Sequence, residues 1–378
     1  MILNTTNPGT AVVIGAAGQD GFFLASLLLQ TGWMVHATVR QDAIPDFDDL
    51  PGDVRARLRL HQIDLLKPQP LLEMIKQVQP DEIYNLAGQS SVSRSFSDPL
   101  YTWKTNAESV VYLLECIRND SPKTRFYQAS SSDMFGLPSV DAARFNEDSA
   151  LSPQSPYASA KAAAHLLCRS YREVYGLRIA SGILANHESH RRPPSFLSRK
   201  VVDHVRSLKQ MPDLQAANAA ALSVGNLKIQ RDWGFAPHYA EGMLRILRQI
   251  KTRAEVSGTD AELDAGENYR DYILATGKTH AVWELIDSAF KIGGFELEWN
   301  LDDDDPLTWA AYFASTKKPA VIVNPELLRA AEPLVIRVDP GRARRELGWE
   351  PGVGLELFLG DMFRNGRRSV PEKGAAKI

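Results

Sequence analysis

Residues 10–30 read Thr-Ala-Val-Val-Ile-Gly-Ala-Ala-Gly-Gln-Asp-Gly-Phe-Phe-Leu-Ala-Ser-Leu-Leu-Leu-Gln, and this stretch decides the fold. A short β-branched run at 11–14 predicts a strand, and the apolar spacing of 21–30 predicts a helix. Between them stand Gly15, Gly18 and Gly21, with Gln19 and Asp20 just before the third glycine. Glycines so placed let the backbone turn tightly and approach a pyrophosphate, whose charge meets the free amides of a helix N-terminus. A lone glycine pattern is weak, but a strand before it and an amphipathic helix after it make a dinucleotide cradle the expected reading.

Working outward, further strands are expected at 34–39, 59–63, 82–86, 124–129 and 178–184, with helical patterns between them, as at 105–118. Strands separated by helices at this rhythm predict βαβ units and a parallel sheet. The fold class expected is α/β, a Rossmann-type doubly wound parallel sheet with a smaller, interleaved α/β substrate domain. Residues 1–185 are assigned to the dinucleotide domain and 186–378 mainly to the substrate domain. After residue 186 no regular alternation is evident, but a helix at 239–250 is expected to pack back on the first domain, within a returning segment of about 231–256. The polar stretch 251–266 reads as an exposed loop. The acidic run 302–305 reads as a solvated turn, because no spaced ligands follow as a calcium loop requires.

Bulk properties exclude several classes. The chain has 378 residues, 44% of them apolar and 24% charged, with a net charge of −3. That balance gives no reason to expect nucleic acid or an anionic membrane as partner. No apolar run approaches the roughly 18 residues of a membrane span, and the N-terminus lacks the pattern of a secretory signal. Cys116 and Cys168 are the two cysteines, each in an apolar helical pattern, so both read as small buried hydrophobes in a cytoplasmic protein.

The second strand ends at Val39-Arg40. An acid there would bond the ribose diol of NAD, whereas Arg40 suits the extra phosphate of NADP; Asp42, two residues on, would favour NAD instead. Asp64 follows the third strand, where an acid can meet the adenosine.

The chemistry is expected from three parts in order. Tyr157 and Lys161, spaced by four after Ser155-Pro156, lie one turn apart on a helix face. A nearby cation lowers the cost of phenolate, so Tyr157 can act as base on a sugar hydroxyl, and Lys161 can also hold a ribose. The pair stands about 140 residues beyond the glycines. Between them, Ser130-Ser131-Ser132-Asp133 ends a strand, where Ser131 can share the substrate oxygen with Tyr157. Asp133 is either a base for a carbon-bound proton or a cap of the following turn.

With these residues in hand, the chain from Val13 to about Phe363 resembles the GDP-mannose 4,6-dehydratase family, within the extended short-chain dehydrogenase/reductases. The resemblance is carried by the GxxGQDG opening at 15–21, by 82–90, by 126–136, and by Ser155-Pro156-Tyr157 with Lys161. It continues through 182–184, Asn186-His187-Glu188-Ser189, Arg191-Arg192, Arg199-Lys200, 225–227, Arg231-Asp232-Trp233-Gly234 and 275–277, to Asp339-Pro340 and Leu347-Gly348-Trp349. It implies an NADP-dependent dehydratase on a GDP-sugar, working as a homodimer or tetramer. Ser131 takes the family's Thr/Ser role and Asp133 its Glu position. Leu65, Leu86, Ala87, Gln89, Leu184, Asn186, His187 and Arg192 join the glycine loop as cofactor residues. Ser90, Asn186, Lys200, Asn226, Arg231, Arg329 and Glu332 fall to the substrate, the lysine and arginines suiting a diphosphate.

Three positions depart from the family pattern: Asp133 for Glu, a loop at 41–45 without the second Arg, and Arg329-Ala330-Ala331-Glu332 without the proline of RPxE. A 4-keto reductase or epimerase on a GDP-sugar would need Ser131, Tyr157 and Lys161 but no glutamate, so Asp133 separates that alternative from dehydration. A silent nucleotide sensor would have no chemical reason to keep Tyr157 with Lys161.

Overall fold

The computed structural model describes residues 8–40, 47, 50–137, 144–211, 220–248, 269–302, 304–328 and 333–366. The expected helix end at 249–250, the loop 251–266, the 41–45 segment with Asp42, and Arg329 with Glu332 lie outside them.

The strands run β1 (Thr10–Ile14), β2 (Met34–Val39), β3 (Leu58–Gln62), β4 (Glu82–Asn85), β5 (Arg125–Ser131), β6 (Ile179–Leu184), β7 (Asn186–Glu188), β8 (Leu222–Val224), β9 (Gln230–Phe235), β10 (Tyr272–Leu274), β11 (Thr279–Ala281), β12 (Leu297–Asn300), β13 (Ala310–Phe313) and β14 (Pro319–Val323). Seven form one sheet in the order β3-β2-β1-β4-β5-β6-β10, every pair parallel. Strands β1 and β6 are almost wholly buried, as strands covered on both faces must be. The order reverses between β1 and β4, so the crevice beyond their carboxyl ends is where a ligand enters such a sheet.

Helices Gln19–Gln30 and Ala236–Leu247 pack together on one face. Their core takes in Tyr84, Tyr127, Tyr239 and the fully buried Trp349. Helices Gln69–Val78, Ser109–Asp120 and Pro156–Tyr175 cover the other face, where Cys116 and Cys168 are buried as free thiols. The helix expected at 239–250 thus begins three residues earlier, at Ala236, with Pro237 in its first turn. Strand β10 was not expected. It has only three residues, and its place is fixed from outside the strand. Asp271, just before it, takes a two-pronged ion pair from Arg172 and the amide of Ser181 on β6.

The remaining chain builds two small sheets, β11-β9-β7 and β12-β13-β14-β8. Helices Leu197–Lys209, Val282–Gly293 and Leu355–Asn365 share a second apolar core with the four-stranded sheet. Strand β7 follows β6 after one residue, so both cores meet at the carboxyl end of the large sheet.

Candidate active site

The glycine loop has the geometry its sequence predicts. Gly15 adopts φ +90°, and a Cβ there would come within 2.8 Å of the Ala87 backbone. A Cβ on Gly21 would stand 2.3 Å from the Gly15 carbonyl oxygen, so a side chain at either position would push the helix off the sheet. Gly18 is the N-cap of helix Gln19–Gln30 and offers no side-chain cap, which leaves the first-turn amides for an anion. These features fit the diphosphate of a dinucleotide.

Beside this loop opens a cavity of about 870 Å³. Its wall contains Asp20, Leu86, Ala87, Gln89, Ser90, Ser131, Asp133, Tyr157, Lys161, Leu184, Asn186, His187, Arg192, Lys200, Asn226 and Arg231. Sixteen separated sequence candidates therefore converge on one space. Gly15, Gly18, Gln19, Gly21, Arg40, Asp64 and Leu65 lie instead along the carboxyl ends of β1, β2 and β3, outside that wall. Arg40 is exposed directly after β2.

Tyr157 sits in the first turn of helix Pro156–Tyr175, which is set by Ser155: its hydroxyl accepts the Ala158 amide, and Pro156 occupies the first helical position. The phenol is 8% exposed. Burial and then the Asp133 carboxylate hold it well above the usual phenol range, while a hydrogen bond from Ser131 and the charge of Arg192 pull the other way. Ser131 also accepts the Asp133 amide at 3.3 Å. The N-cap of that 3-10 turn is therefore Ser131.

Lys161 lines the same wall, one turn along the helix. Its ammonium donates to the Ala129 carbonyl oxygen at 2.9 Å, and burial depresses it to about 8, against an opposing pull from Asp20. The cation that most eases the phenol is Arg192, held by Glu188 at 3.0 Å and over the Phe196 ring at 3.8 Å.

Two cofactor candidates turn their side chains into structure. Gln19 donates to the His187 carbonyl oxygen at 2.9 Å and accepts from Ser189 at 2.8 Å, tying the glycine helix to β7. Gln89 donates to the Ser91 carbonyl and to Thr102. Asp64 accepts the Leu66 amide, shaping the turn after β3. On the far wall, Lys200 donates to the Ser223 carbonyl, Asn226 accepts the Lys228 amide, and Arg231 donates to the carbonyls of Gln230 and Pro333. In the acidic run, Asp305 caps a 3-10 turn through the Leu307 amide.

Sequence reasoning passed over two site residues. Asn106 lies in a π-helical turn, Lys104–Glu108, and clamps Gln89 from both sides: its Oδ1 accepts the Gln89 amide and its Nδ2 donates to the Gln89 carbonyl, each at 2.8 Å. Wide turns of this kind recur at functional sites, but nothing in the local sequence announces one. Glu188 lies within a matched motif yet had no assigned role; it is buried in the cavity wall and holds Arg192 and Ser198.

A seven-stranded parallel sheet, a glycine-loop helix and a Ser–Tyr–Lys set at one crevice define an enzyme of the short-chain dehydrogenase/reductase kind that uses a nicotinamide cofactor. Solved structures agree on the fold. The dTDP-glucose 4,6-dehydratase DesIV of Streptomyces venezuelae, with NAD and TYD bound, aligns at TM-score 0.72 and 22% identity over 94% of this chain and 96% of that one. RMD from Pseudomonas aeruginosa, complexed with NADPH, aligns at 0.67 and 22% over 94% and 97%. The family model described as GDP-mannose 4,6 dehydratase matches residues 12–362. Relatives of that name from Vibrio cholerae and Sinorhizobium fredii are each 35% identical, covering 94% and 95% of this chain and 93% and 97% of their own. The chain belongs to the GDP-mannose 4,6-dehydratase family.

Proposed function

We propose that this chain acts as a GDP-sugar 4,6-dehydratase, converting GDP-mannose or a close relative to its 4-keto-6-deoxy sugar. The observation that carries this reading is that Ser131, Asp133 and Tyr157 share one cavity wall, with the Ser131 hydroxyl accepting the Asp133 amide. Tyr157, steadied by Ser131, takes the proton of the sugar 4-hydroxyl. Asp133 takes the C5 proton that the resulting 4-ketone makes acidic, and water leaves from C6. A nicotinamide cofactor held by the glycine loop and Lys161 would supply the chemistry of accepting and returning the hydride. Lys161 orients the ribose, and Asp20, Arg192 and Lys161 set the local field.

Lys200, Asn226, Arg231 and Arg329 are assigned to the nucleotide diphosphate, and Ser90, Ser131, Asn186 and Glu332 to the rest of the nucleotide-sugar. The cofactor is assigned as NADP because Arg40 stands exposed after β2, where a guanidinium can fork onto a phosphate. The division of labour follows the chain: residues 1–185 with the returning helix serve the cofactor, and residues 186–378 mainly serve the substrate. No helix among the described residues is long and apolar enough to cross a membrane.

A homodimer is part of the reading. Leu100, Trp103, Tyr112 and Leu166 are 75, 48, 40 and 50% exposed on helices that pack side by side. Apolar area so gathered suits a contact surface, and the same faces of helices Pro99–Trp103, Ser109–Asp120 and Pro156–Tyr175 in a second copy can cover it.

Incubation with GDP-mannose in heavy water tests the activity. The expected product is a 4-keto-6-deoxy sugar carrying deuterium from solvent, with no net consumption of cofactor. One-for-one oxidation of added NADPH would show the reductase instead.

A further inference from the structure

Both ring nitrogens of His187 face oxygen acceptors. Nδ1 lies 2.7 Å from the Ala185 carbonyl oxygen, and Nε2 lies 3.0 Å from the Asp20 carboxylate. A carbonyl oxygen only accepts, so Nδ1 carries hydrogen. A neutral ring would then aim the lone pair of Nε2 at a carboxylate. A ring-nitrogen lone pair held 3.0 Å from a carboxylate oxygen is repelled by it, whereas a proton on Nε2 turns the contact into an ion pair, although the two groups are not aligned as a hydrogen bond. Imidazole and carboxyl together thus hold one proton and no net charge. The site is buried, with His187 7% exposed, and the imidazole stacks on the Tyr239 ring at 4.4 Å.

The position of Asp20 gives that proton its meaning. Asp20 is in the first turn of the glycine-loop helix, among the amides left free for a diphosphate. A bare carboxylate there would repel the phosphates that the helix N-terminus attracts. Nδ1 of His187 is held by the Ala185 carbonyl, which turns Nε2 toward the Asp20 carboxylate. We propose that His187 acts as a positioning residue that cancels the charge of Asp20, so that one proton on the His187–Asp20 pair is a condition for tight binding of the dinucleotide diphosphate. This rests on the dinucleotide reading above.

The charged and titratable groups around the pair come from every neighbouring element. Arg192 and Glu188 flank it from β7 and the turn beyond, and Tyr239 from helix Ala236–Leu247. Asp232 of β9 acts on Tyr239, Tyr127 of β5 lies within the field of Asp20, and Lys161 and Tyr157 feel that field from the catalytic helix. Burial would lower His187, yet the facing carboxylate raises it above the ordinary imidazole value of 6.5. Burial would likewise raise Asp20, and His187 followed by Arg192 holds it low. Since the folded form keeps its proton longer than a free imidazole, the contribution to binding is full below the ordinary imidazole value of 6.5 and is lost as pH rises through the raised value.

The test uses the full chain, first without ligand. In nitrogen-15 spectra of labelled histidines, with His187 assigned by its loss in His187→Gln, both ring nitrogens should read as protonated above pH 6.5. The NADP dissociation constant, from titration of intrinsic fluorescence, should rise about tenfold as the pair loses its proton. Asp20→Asn should bind NADP at least as tightly as the native chain and lose that dependence. Adding Asp20→Asn to His187→Gln should restore the affinity that His187→Gln loses. A neutral His187 ring at neutral pH would overturn the proposal. So would a double variant that folds by circular dichroism yet binds as weakly as His187→Gln alone. If the dehydratase reading fails, GDP-mannose gives no product while these spectra and NADP titrations are unchanged.

Discussion

The Lys161 ammonium, in a residue only 7% exposed, sits 2.9 Å from the Ala129 carbonyl oxygen, its one direct acceptor among the described residues, and this makes it a charge held at a cost to the fold. Burial lowers it from 10.5 to about 8. Because the unfolded chain binds the proton more tightly, the penalty is full below pH 8 and fades as pH rises toward 10.5. Lys161→Met should therefore be inactive yet more stable at neutral pH by about 1 to 3 kcal/mol, after allowing for the lost hydrogen bond. Urea unfolding at neutral and alkaline pH checks this: the gain should shrink as the pH approaches 10.5. Equal stability of the two chains at neutral pH would contradict it.

Asp133 is one methylene shorter than the glutamate of the family pattern. Asp133→Asn should abolish dehydration while leaving NADP affinity within about twofold, since the carboxylate is needed for chemistry and not for the diphosphate. Asp133→Glu should keep or raise the rate. A base misplaced by about 1 Å can cost on the order of 100-fold, so the direction of the change reports whether this site has been rebuilt for the shorter acid. Product formation followed by loss of the C5 proton separates the two variants. Full activity in Asp133→Asn would remove Asp133 from the mechanism.

The fold was legible where residues answer only to their neighbours in the chain. Strand β2 matches its expected bounds of 34–39, because β-branched residues there meet a buried sheet on both faces. The three glycines and Ser155-Pro156-Tyr157 were legible for a similar reason: a tight turn and a helix start are local events. Strand β10 was hidden because three residues carry no period, and its register depends on Arg172 and Asp271, 99 positions apart. The contact of Lys161 was hidden for the same reason. Spacing puts the side chain on the Tyr157 face, but only the tertiary fold shows that its ammonium meets the Ala129 carbonyl. The bond from Ser189 to Gln19, 170 residues apart, is another that local sequence cannot announce.

Far from the crevice, Glu82 begins β4 fully buried and takes both prongs of Arg248 at 2.8 Å, with Arg125 at 3.3 Å and the Tyr84 hydroxyl at 2.8 Å. Arg248 also lies over the Trp33 ring, just beyond helix Ala236–Leu247. Glu82→Ala would strand a buried guanidinium and should destabilise the chain by about 3 to 5 kcal/mol. A joint change of Glu82 and Arg248 to apolar residues should recover much of that loss, because no unpaired charge is left. Denaturant midpoints decide the matter. Additive losses in the double variant would mean that the pair is not what anchors the returning helix.

The exposed Leu100 and Leu166 give the oligomer its test. Each would be largely dehydrated in a dimer built on the two packed helices, and a carboxylate at either position would face its own copy or an apolar surface across the interface. Leu100→Glu combined with Leu166→Glu should convert the protein to monomers in sedimentation, while the fold, read by circular dichroism, stays native. Activity need not vanish, because the described cavity wall is drawn from a single chain. Its loss together with the dimer would show instead that the partner stabilises the 88–97 wall, where Gln89, Ser90 and Phe96 line the site directly beside Leu100. A double variant that sediments with the same mass as the native protein would place the contact elsewhere on the surface.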